Sequence, residues 1–281
     1  MNILFAAAEA VPFCKTGGLG DVIGSLPSAL QAEGHNVSVI LPLYHDISFH
    51  LREQMELLSE FNVPLGWRNQ YGGLKRLRYK GINYYFVDNE YYFARCGIYG
   101  FFDEAERYAF FCRAVLQSLP YLEAKPQIIH CHDWHTGLIP LYCEAFYGHD
   151  PEYRQLRFVL TIHNLKYQGI FSKDVLGDVL GLHKGYFTPD KLEFNGDVNF
   201  LKAGIVYSNI LTTVSRSYAE EIKYPYYGEG LDPLLRKYEG KLHGIVNGID
   251  YTEYNPLTDP ALKFNYRSSL TKKRQNKVKL Q

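Results

Sequence analysis

Short apolar runs alternate along the chain with longer segments whose apolar positions recur every three or four residues. The short runs are typical of strands and the longer segments of amphipathic helices. Strands that alternate with helices predict an α/β fold, a Rossmann-like open, mainly parallel sheet with helices on both faces. The predicted strands are residues 3–7, 37–41, 82–87, 128–131, 158–162, 210–214 and 244–246.

Other patterns refine this picture. Residues 74–79 alternate like a strand and are separated from 82–87 by Lys80-Gly81, which predicts an antiparallel hairpin. A first helix is predicted after residue 18, with a kink or break at Pro27. The other predicted helices are residues 103–122, 197–207 and 215–223.

The most informative local sequence lies between the first strand and the first helix. Residues 15–21 read Lys-Thr-Gly-Gly-Leu-Gly-Asp. Glycine lets the backbone approach a ligand closely, and a helix N-terminus offers unpaired N–H groups and partial positive charge. Together with the charge of Lys15, the loop at Gly17 and Gly18 predicts a site for a phosphorylated ligand. An NAD or sugar-phosphate enzyme is disfavoured, because the glycine spacing differs from the dinucleotide pattern and the next strand ends in Pro42, not an acidic residue.

Two more polar residues follow predicted strands in the same way. Asp133 comes after strand 128–131, and His163 comes directly after strand 158–162. Ligands of open parallel sheets bind at the carboxyl ends of the strands. We therefore expect Lys15, Asp133 and His163 to approach one edge of the sheet from separate loops.

Composition narrows the function classes. Thirty Lys and Arg balance thirty Asp and Glu, so the net charge creates no strong electrostatic attraction to nucleic acid or to an anionic membrane. No run reaches the roughly 18 apolar residues of a membrane helix, and the first residues lack a signal-peptide pattern. Five cysteines without C-x-x-C spacing favour a reducing, cytoplasmic setting. Residues 130–135 contain three histidines, a cysteine and an aspartate, but neighbours on a strand face opposite sides, so no metal site is predicted.

Several motifs occur in one order along residues 1–260. They resemble those of bacterial glycogen synthases and plant starch synthases, which are retaining glucosyltransferases of the GT-B fold. Besides the glycine loop, the motifs are Tyr92-Phe93-Ala94-Arg95-Cys96-Gly97 with Tyr99-Gly100, Cys131-His132-Asp133-Trp134-His135, Thr161-Ile162-His163-Asn164 with Tyr167-Gln168-Gly169, Asn199-Phe200-Leu201-Lys202-Ala203-Gly204, Thr213-Val214-Ser215 and Val246-Asn247-Gly248-Ile249-Asp250.

The resemblance implies transfer of glucose from ADP-glucose to the nonreducing end of an α-1,4-glucan with retention of configuration, with no cofactor beyond the donor substrate. Such a reaction needs positive charge at the leaving diphosphate. Lys15 and the amides of the glycine loop would supply it, and Asn247 would add a donor contact, although an Asn-Gly pair is also simply a tight turn. His163 would act near the sugar, through its side chain or its carbonyl, and Asp133 would hold hydroxyl groups of the sugar or the acceptor.

The resemblance also implies an acceptor side. Three of the expected acceptor residues could instead have a purely structural role. Asp21 would then be a favourable charge in the first helical turn, Arg95 the partner of a carboxylate, and Trp134 a buried anchor. Ala94 stands where the family often has an acidic residue. The expected acceptor residues are Glu9, Asp21, Tyr92, Phe93, Arg95 and Trp134.

The resemblance further divides the chain. Residues 1–260 correspond to an N-terminal glucosyltransferase domain, and residues 261–281 to a basic tail or the start of a linker toward a second domain that the sequence lacks. In the family that second domain completes the donor pocket. The chain alone is therefore expected to be inactive, and the alternative is a glucan-binding module without turnover.

Overall fold

The computed structural model describes all 281 residues. They form two compact units, Met1–Val246 and Asn247–Gln281. The structural division therefore falls earlier than the functional boundary predicted at residue 260. None of the helices combines the length and the apolar character that crossing a membrane requires.

The larger unit is built on a nine-stranded sheet, and three very short strands form a second sheet in the spatial order β8-β10-β9. The strands are β1 Asn2–Ala6, β2 Asn36–Pro42, β3 Glu56–Leu65, β4 Arg68–Tyr79, β5 Ile82–Asp88, β6 Ile128–His132, β7 Arg157–Ile162, β8 Ile170–Phe171, β9 Glu193–Phe194, β10 Asp197–Asn199, β11 Ile210–Thr213 and β12 Leu242–Gly244. The helices are α1 Gly18–Ala32, α2 Phe49–Arg52, α3 Glu90–Phe93, α4 Glu104–Ser118, α5 Leu138–Tyr147, α6 Pro151–Arg154, α7 Val175–Asp178, α8 Phe200–Tyr207, α9 Arg216–Glu221, α10 Asp232–Lys237 and α11 Leu270–Leu280.

The order of the large sheet is β12-β11-β7-β6-β1-β2-β5-β4-β3. The strands from β12 to β5 are parallel, and they correspond to the seven strands that the apolar runs predicted. Strand β12 lies two residues earlier than the predicted 244–246. The predicted hairpin is confirmed, because Tyr79 pairs with Ile82 across the turn. The order reverses at β1, which lies between β2 and β6, so the first loop opens at a switch point of the sheet.

The sequence patterns missed β3 and the small sheet. Strand β3 is largely exposed, interrupted by a register shift between Leu57 and Ser59, and carries Pro64, so it lacks a clean alternation. The strands of the small sheet have only two or three residues each. Residues 197–199, predicted as the start of a helix, form β10, and the helix begins at Phe200.

The predicted break of the first helix at Pro27 is absent, and the last residues form a helix that was not predicted. Helix α1 continues through Pro27 to Ala32, because that proline is buried with Leu19 and Ile23 and packing holds the helix together. A proline in a helix interior removes one backbone hydrogen bond and crowds the carbonyl four residues earlier, so a helix continues through it only where other contacts support it. In the smaller unit, residues expected to form a polar tail make helix α11. Ser269 accepts a hydrogen bond from Lys272 N and caps it.

Candidate functional site

The carboxyl ends of β1, β6 and β7 form the edge where the predicted residues meet. These three strands are neighbours in the sheet, with β6 between β1 and β7. Asp133 follows β6 and His163 follows β7, and the His163 backbone N–H donates to Asp133 Oδ1 at 2.8 Å. The loop after β1 leads through Lys15 into α1. Asp133 and His163 therefore meet at this edge, and Lys15 lies in the loop that follows the neighbouring strand.

Glu9 organises the glycine loop. Its carboxylate is buried and accepts hydrogen bonds from Thr16 N at 2.5 Å, Thr16 Oγ1 at 2.7 Å and Gly17 N at 3.2 Å. It also accepts from the Tyr99 hydroxyl at 2.7 Å. These internal donors show that the Glu9 carboxylate holds the loop in place. The acceptor contact predicted for Glu9 stays a prediction.

The same contacts change the prediction for the loop amides. The Gly17 N–H points to Glu9, so it is not available to a phosphate in this structure. The first N–H groups of α1, which begin at Gly18, have no acceptor within the helix. A side chain at Gly18 would meet nothing within 4 Å, so the space beside Gly18 is open. The anion site predicted from the sequence therefore rests on the helix start from Gly18 onward.

Lys15 lies beside this helix start. Its Nζ is 2.7 Å from Asp21 Oδ1, and both side chains are substantially exposed, at 44% and 36%. Asp21 was predicted as an acceptor contact or as a first-turn acid. The structure shows it in the first turn of α1, orienting Lys15. The ion pair itself is worth little at this exposure, so its main effect is on where the ammonium group lies.

Asp133 has unusual backbone and side-chain environments. Its φ is 57°, a left-handed conformation that Asp and Asn tolerate better than most residues. Burial raises the pKa of its carboxyl from 3.8 to about 7; the His163 and Asn164 amides oppose this rise and the charge of Glu9 adds to it. The folded protein thus keeps a proton that the unfolded chain releases between about pH 4 and 7. The carboxyl therefore lowers stability progressively as the pH rises through that range.

Replacing Asp133 by asparagine is expected to make the chain more stable at neutral and alkaline pH. Asparagine keeps an acceptor for His163 N and tolerates the positive φ, but it cannot ionise. The gain in the free energy of unfolding should grow from pH 4 to 7 and level off at about 1 to 4 kcal/mol. Urea denaturation at pH 5 and pH 8 measures it.

A matched control for this measurement is Glu33→Gln, which removes an exposed carboxylate at the end of α1. His163 contributes the opposite slope in both proteins and cancels in the difference. An Asp133→Asn variant that is equally or less stable than the parent at pH 8 would show that the carboxyl is not penalised by burial.

His163 has a partly buried ring next to a second histidine. Its Nε2 lies 3.0 Å from His132 Nδ1. Burial lowers the pKa of His163 to about 4, although the Glu9 charge works in the opposite direction. The ring is therefore neutral at pH 7 and can donate or accept a hydrogen bond, but it supplies no positive charge.

The predicted acceptor aromatics need correcting. Tyr92 and Phe93 are fully buried in α3, so no glucan reaches either ring in this structure. The Tyr92 hydroxyl donates to Glu106, and its ring packs 4.9 Å from that of Phe110. The exposed aromatic residue of this segment is Tyr91, at 61%.

Arg95 and Trp134 follow their structural alternatives. Arg95 donates two hydrogen bonds to the Asp103 carboxylate, at 2.6 and 2.8 Å. The Trp134 ring is buried against Tyr108, with ring centroids 5.0 Å apart, and its edge lies against Gly169. Trp134 therefore anchors the structure beneath the site and cannot stack on a sugar in this state.

Asn247 belongs to the smaller compact unit, and its donor contact stays a prediction. No group of three or more His, Cys, Asp or Glu side chains is placed to hold a metal ion. The sequence did not single out Thr16, Tyr99 or His132 individually. All three lie inside the motifs, but only the fold shows that they contact Glu9 or His163.

Comparison with known proteins supports the sequence resemblance. Residues 2–237 match the family described as the starch synthase catalytic domain. The chain is 57% identical over 282 residues to a glycogen synthase of Desulforamulus reducens and 50% identical over 283 residues to that of Clostridium acetobutylicum. All of the chain is covered in both, but it spans only 59% of the length of each relative.

A solved structure shares the fold. The catalytic domain of starch synthase IV from Arabidopsis thaliana, bound to ADP and acarbose, aligns with a TM-score of 0.89 and 34% identity. The alignment covers 99% of this chain and 58% of that one. The expected Rossmann-like half of a GT-B glucosyltransferase is confirmed, and the chain belongs to the glycogen and starch synthase family.

Proposed function

We propose that the chain forms the N-terminal part of an enzyme that transfers glucose from ADP-glucose to the nonreducing end of an α-1,4-glucan with retention of configuration. The observation that carries the proposal is the meeting of a lysine-bearing helix start, Asp133 and His163 at one edge of the sheet. The glycogen synthase relatives and the starch synthase neighbour with ADP and acarbose support it. No cofactor beyond the donor is proposed. The five free cysteines favour the cytoplasm as its setting.

The proposed chemistry follows from the charges at this edge. Glucosyl transfer develops positive charge on the sugar and negative charge on the leaving diphosphate. Lys15 and the first amides of α1 stabilise the diphosphate, because positive charge and dipoles fixed in advance need no reorganisation. Asp133, with a pKa near 7, and neutral His163 offer hydrogen bonds to hydroxyl groups on the sugar side.

The glycogen synthase relatives are longer than this chain, which spans 59% of the length of each. We propose that a second domain, formed by the rest of such a protein, closes over the carboxyl edge and completes the donor site. Interdomain surfaces of this kind bury roughly 600 to 1,500 Å² and are fairly polar. The chain alone is then a binding partner for glucan and for the second domain, and the complete protein is the catalyst.

We predict that residues 1–281 incorporate little or no glucose into glycogen, whereas a full-length protein turns over at about 1 to 1,000 per second. The rate at which labelled glucose passes from ADP-glucose into glycogen measures the activity of both proteins. Calorimetry with ADP, ADP-glucose, UDP-glucose, NAD and a maltooligosaccharide identifies the ligands.

Glucan binding without any incorporation by the full-length protein would favour the binding-module alternative. Binding of NAD in place of ADP-glucose would contradict the proposed reaction. Enzyme-like turnover by residues 1–281 would show that the second domain is not required.

A further inference from the structure

His132 is a buried polar residue that the proposed chemistry does not use. Its ring is fully buried, is stacked on His130 with centroids 4.2 Å apart and lies 5.3 Å from the ring of Phe5. Its Nδ1 lies 3.0 Å from His163 Nε2, while its own Nε2 is buried and has no hydrogen-bond partner. Its single side-chain hydrogen bond therefore goes to His163.

This arrangement determines which ring donates. Two neutral imidazoles in N···N contact share one proton, so one nitrogen is the donor and the other the acceptor. If His132 carried its proton on Nε2, that N–H would be buried without an acceptor, which is costly. With the proton on Nδ1, the only N–H of the ring is bonded, and Nε2 leaves just an unused lone pair. His132 is therefore the donor.

The tautomer of His163 follows. Its Nε2 accepts the proton of His132 in a hydrogen bond and so carries none itself. A neutral imidazole has one N–H, which must then be on Nδ1. Nδ1 is not among the buried unpaired atoms, and the ring is only partly buried.

We propose that His132 is a positioning residue, which fixes His163 as the Nδ1–H tautomer and so gives the carboxyl edge of the sheet an N–H donor at this position. The catalytic consequence rests on the proposed function: an N–H donor suits a hydroxyl oxygen of a sugar, whereas a bare lone pair would require the sugar hydroxyl to donate. The tautomer itself does not depend on that function.

Packing alone predicts something different. The neighbours of His132 are aromatic rings, so phenylalanine at this position fits their shape and removes the unpaired Nε2. If His132 only fills space, His132→Phe should leave both His163 and turnover unchanged. His132→Asn is the matched variant, because its side-chain amide places an N–H close to the position of Nδ1.

The first test uses residues 1–281 with isotopically labelled histidine, and NMR shifts of the ring nitrogens. In the parent we expect His163 with a protonated Nδ1 and an unprotonated Nε2. His132→Asn should retain this pattern, and His132→Phe should populate the Nε2–H form. A parent chain with His163 protonated on Nε2 overturns the proposal, even if neither variant folds. So does a His132→Phe variant with an unchanged pattern.

The second test uses the full-length protein and separates the claim about the His163 tautomer from the claim about catalysis. His132→Phe should lower kcat about 10- to 100-fold with little change in the glucan KM, by analogy with the loss of a partner that orients a functional histidine. His132→Asn should recover most of the loss. Unchanged kcat in His132→Phe, with the tautomer altered as expected, overturns the catalytic consequence. A full-length parent with no glucan synthesis contradicts the proposed function, while the NMR result still decides the tautomer.

Discussion

Replacing Lys15 by alanine in the full-length protein is expected to lower kcat about 100- to 1,000-fold, the loss typical of removing one donor to a developing negative charge. Lys15 is held by Asp21 at the start of α1, next to amides that have no partner in the helix. A charge aimed at the leaving diphosphate stabilises the transition state more than the complex with glucan. Steady-state kinetics with ADP-glucose and glycogen measure kcat and the glucan KM together.

The chain offers a matched control for this variant. Lys125 precedes β6, at the opposite edge of the sheet, and is also an exposed lysine paired with a carboxylate, 2.6 Å from Glu152. Lys125→Ala removes the same charge and the same kind of ion pair, so its kcat should stay near that of the parent. A raised glucan KM with normal kcat in Lys15→Ala would instead place Lys15 on the acceptor side.

Replacing Gly169 by alanine should destabilise the larger unit by about 2 to 5 kcal/mol. This glycine has a φ of 63°, which costs other residues about 1 to 2 kcal/mol. A Cβ at this position would also lie 2.3 Å from Trp134 Cε3, and forcing a buried ring to move costs about 1 to 3 kcal/mol more. Urea denaturation of residues 1–281 measures the change.

The variant Gly34→Ala separates the cost of backbone strain from the cost of the clash with Trp134. Gly34 has a φ of 84°, but a Cβ there would meet nothing within 4 Å. Its loss of stability should therefore reflect backbone strain alone and be the smaller of the two. Equal losses at both positions would mean that Trp134 yields without cost, and that its burial beneath the site is loosely packed.

The parallel part of the fold was predictable because each of its strands is a short apolar run. The strand at 37–41, for example, appears as β2 with its last four residues buried. Strand β3 was not predictable in the same way, since half-exposed edge positions carry no periodic pattern. The continuation of α1 through Pro27 depends on tertiary packing, which no local preference contains.

The candidate site was predicted in its location but less well in its contacts. The positions of Asp133 and His163 follow from the ends of adjacent strands. The burial of Tyr92 and Phe93 does not, because the motif shows two neighbouring aromatics without showing that Tyr91 is the exposed one. The contact between His132 and His163 needs the register of β6 and β7, in which His132 lies opposite Thr161.

The Glu9 carboxylate is hydrogen-bonded to two segments, the glycine loop expected on the donor side and the segment after α3 expected on the acceptor side. It holds Thr16 and Gly17 of the glycine loop and, at the same time, the Tyr99 hydroxyl from the segment that follows α3. A ligand that shifts either segment must change the energy of this shared contact, and hence of the other segment. Such linkage is reciprocal: if glucan moves Tyr99 and alters the affinity for the donor by some factor, the donor alters the affinity for glucan by the same factor. Glu9 is thus placed to make the two binding events cooperative without a moving domain.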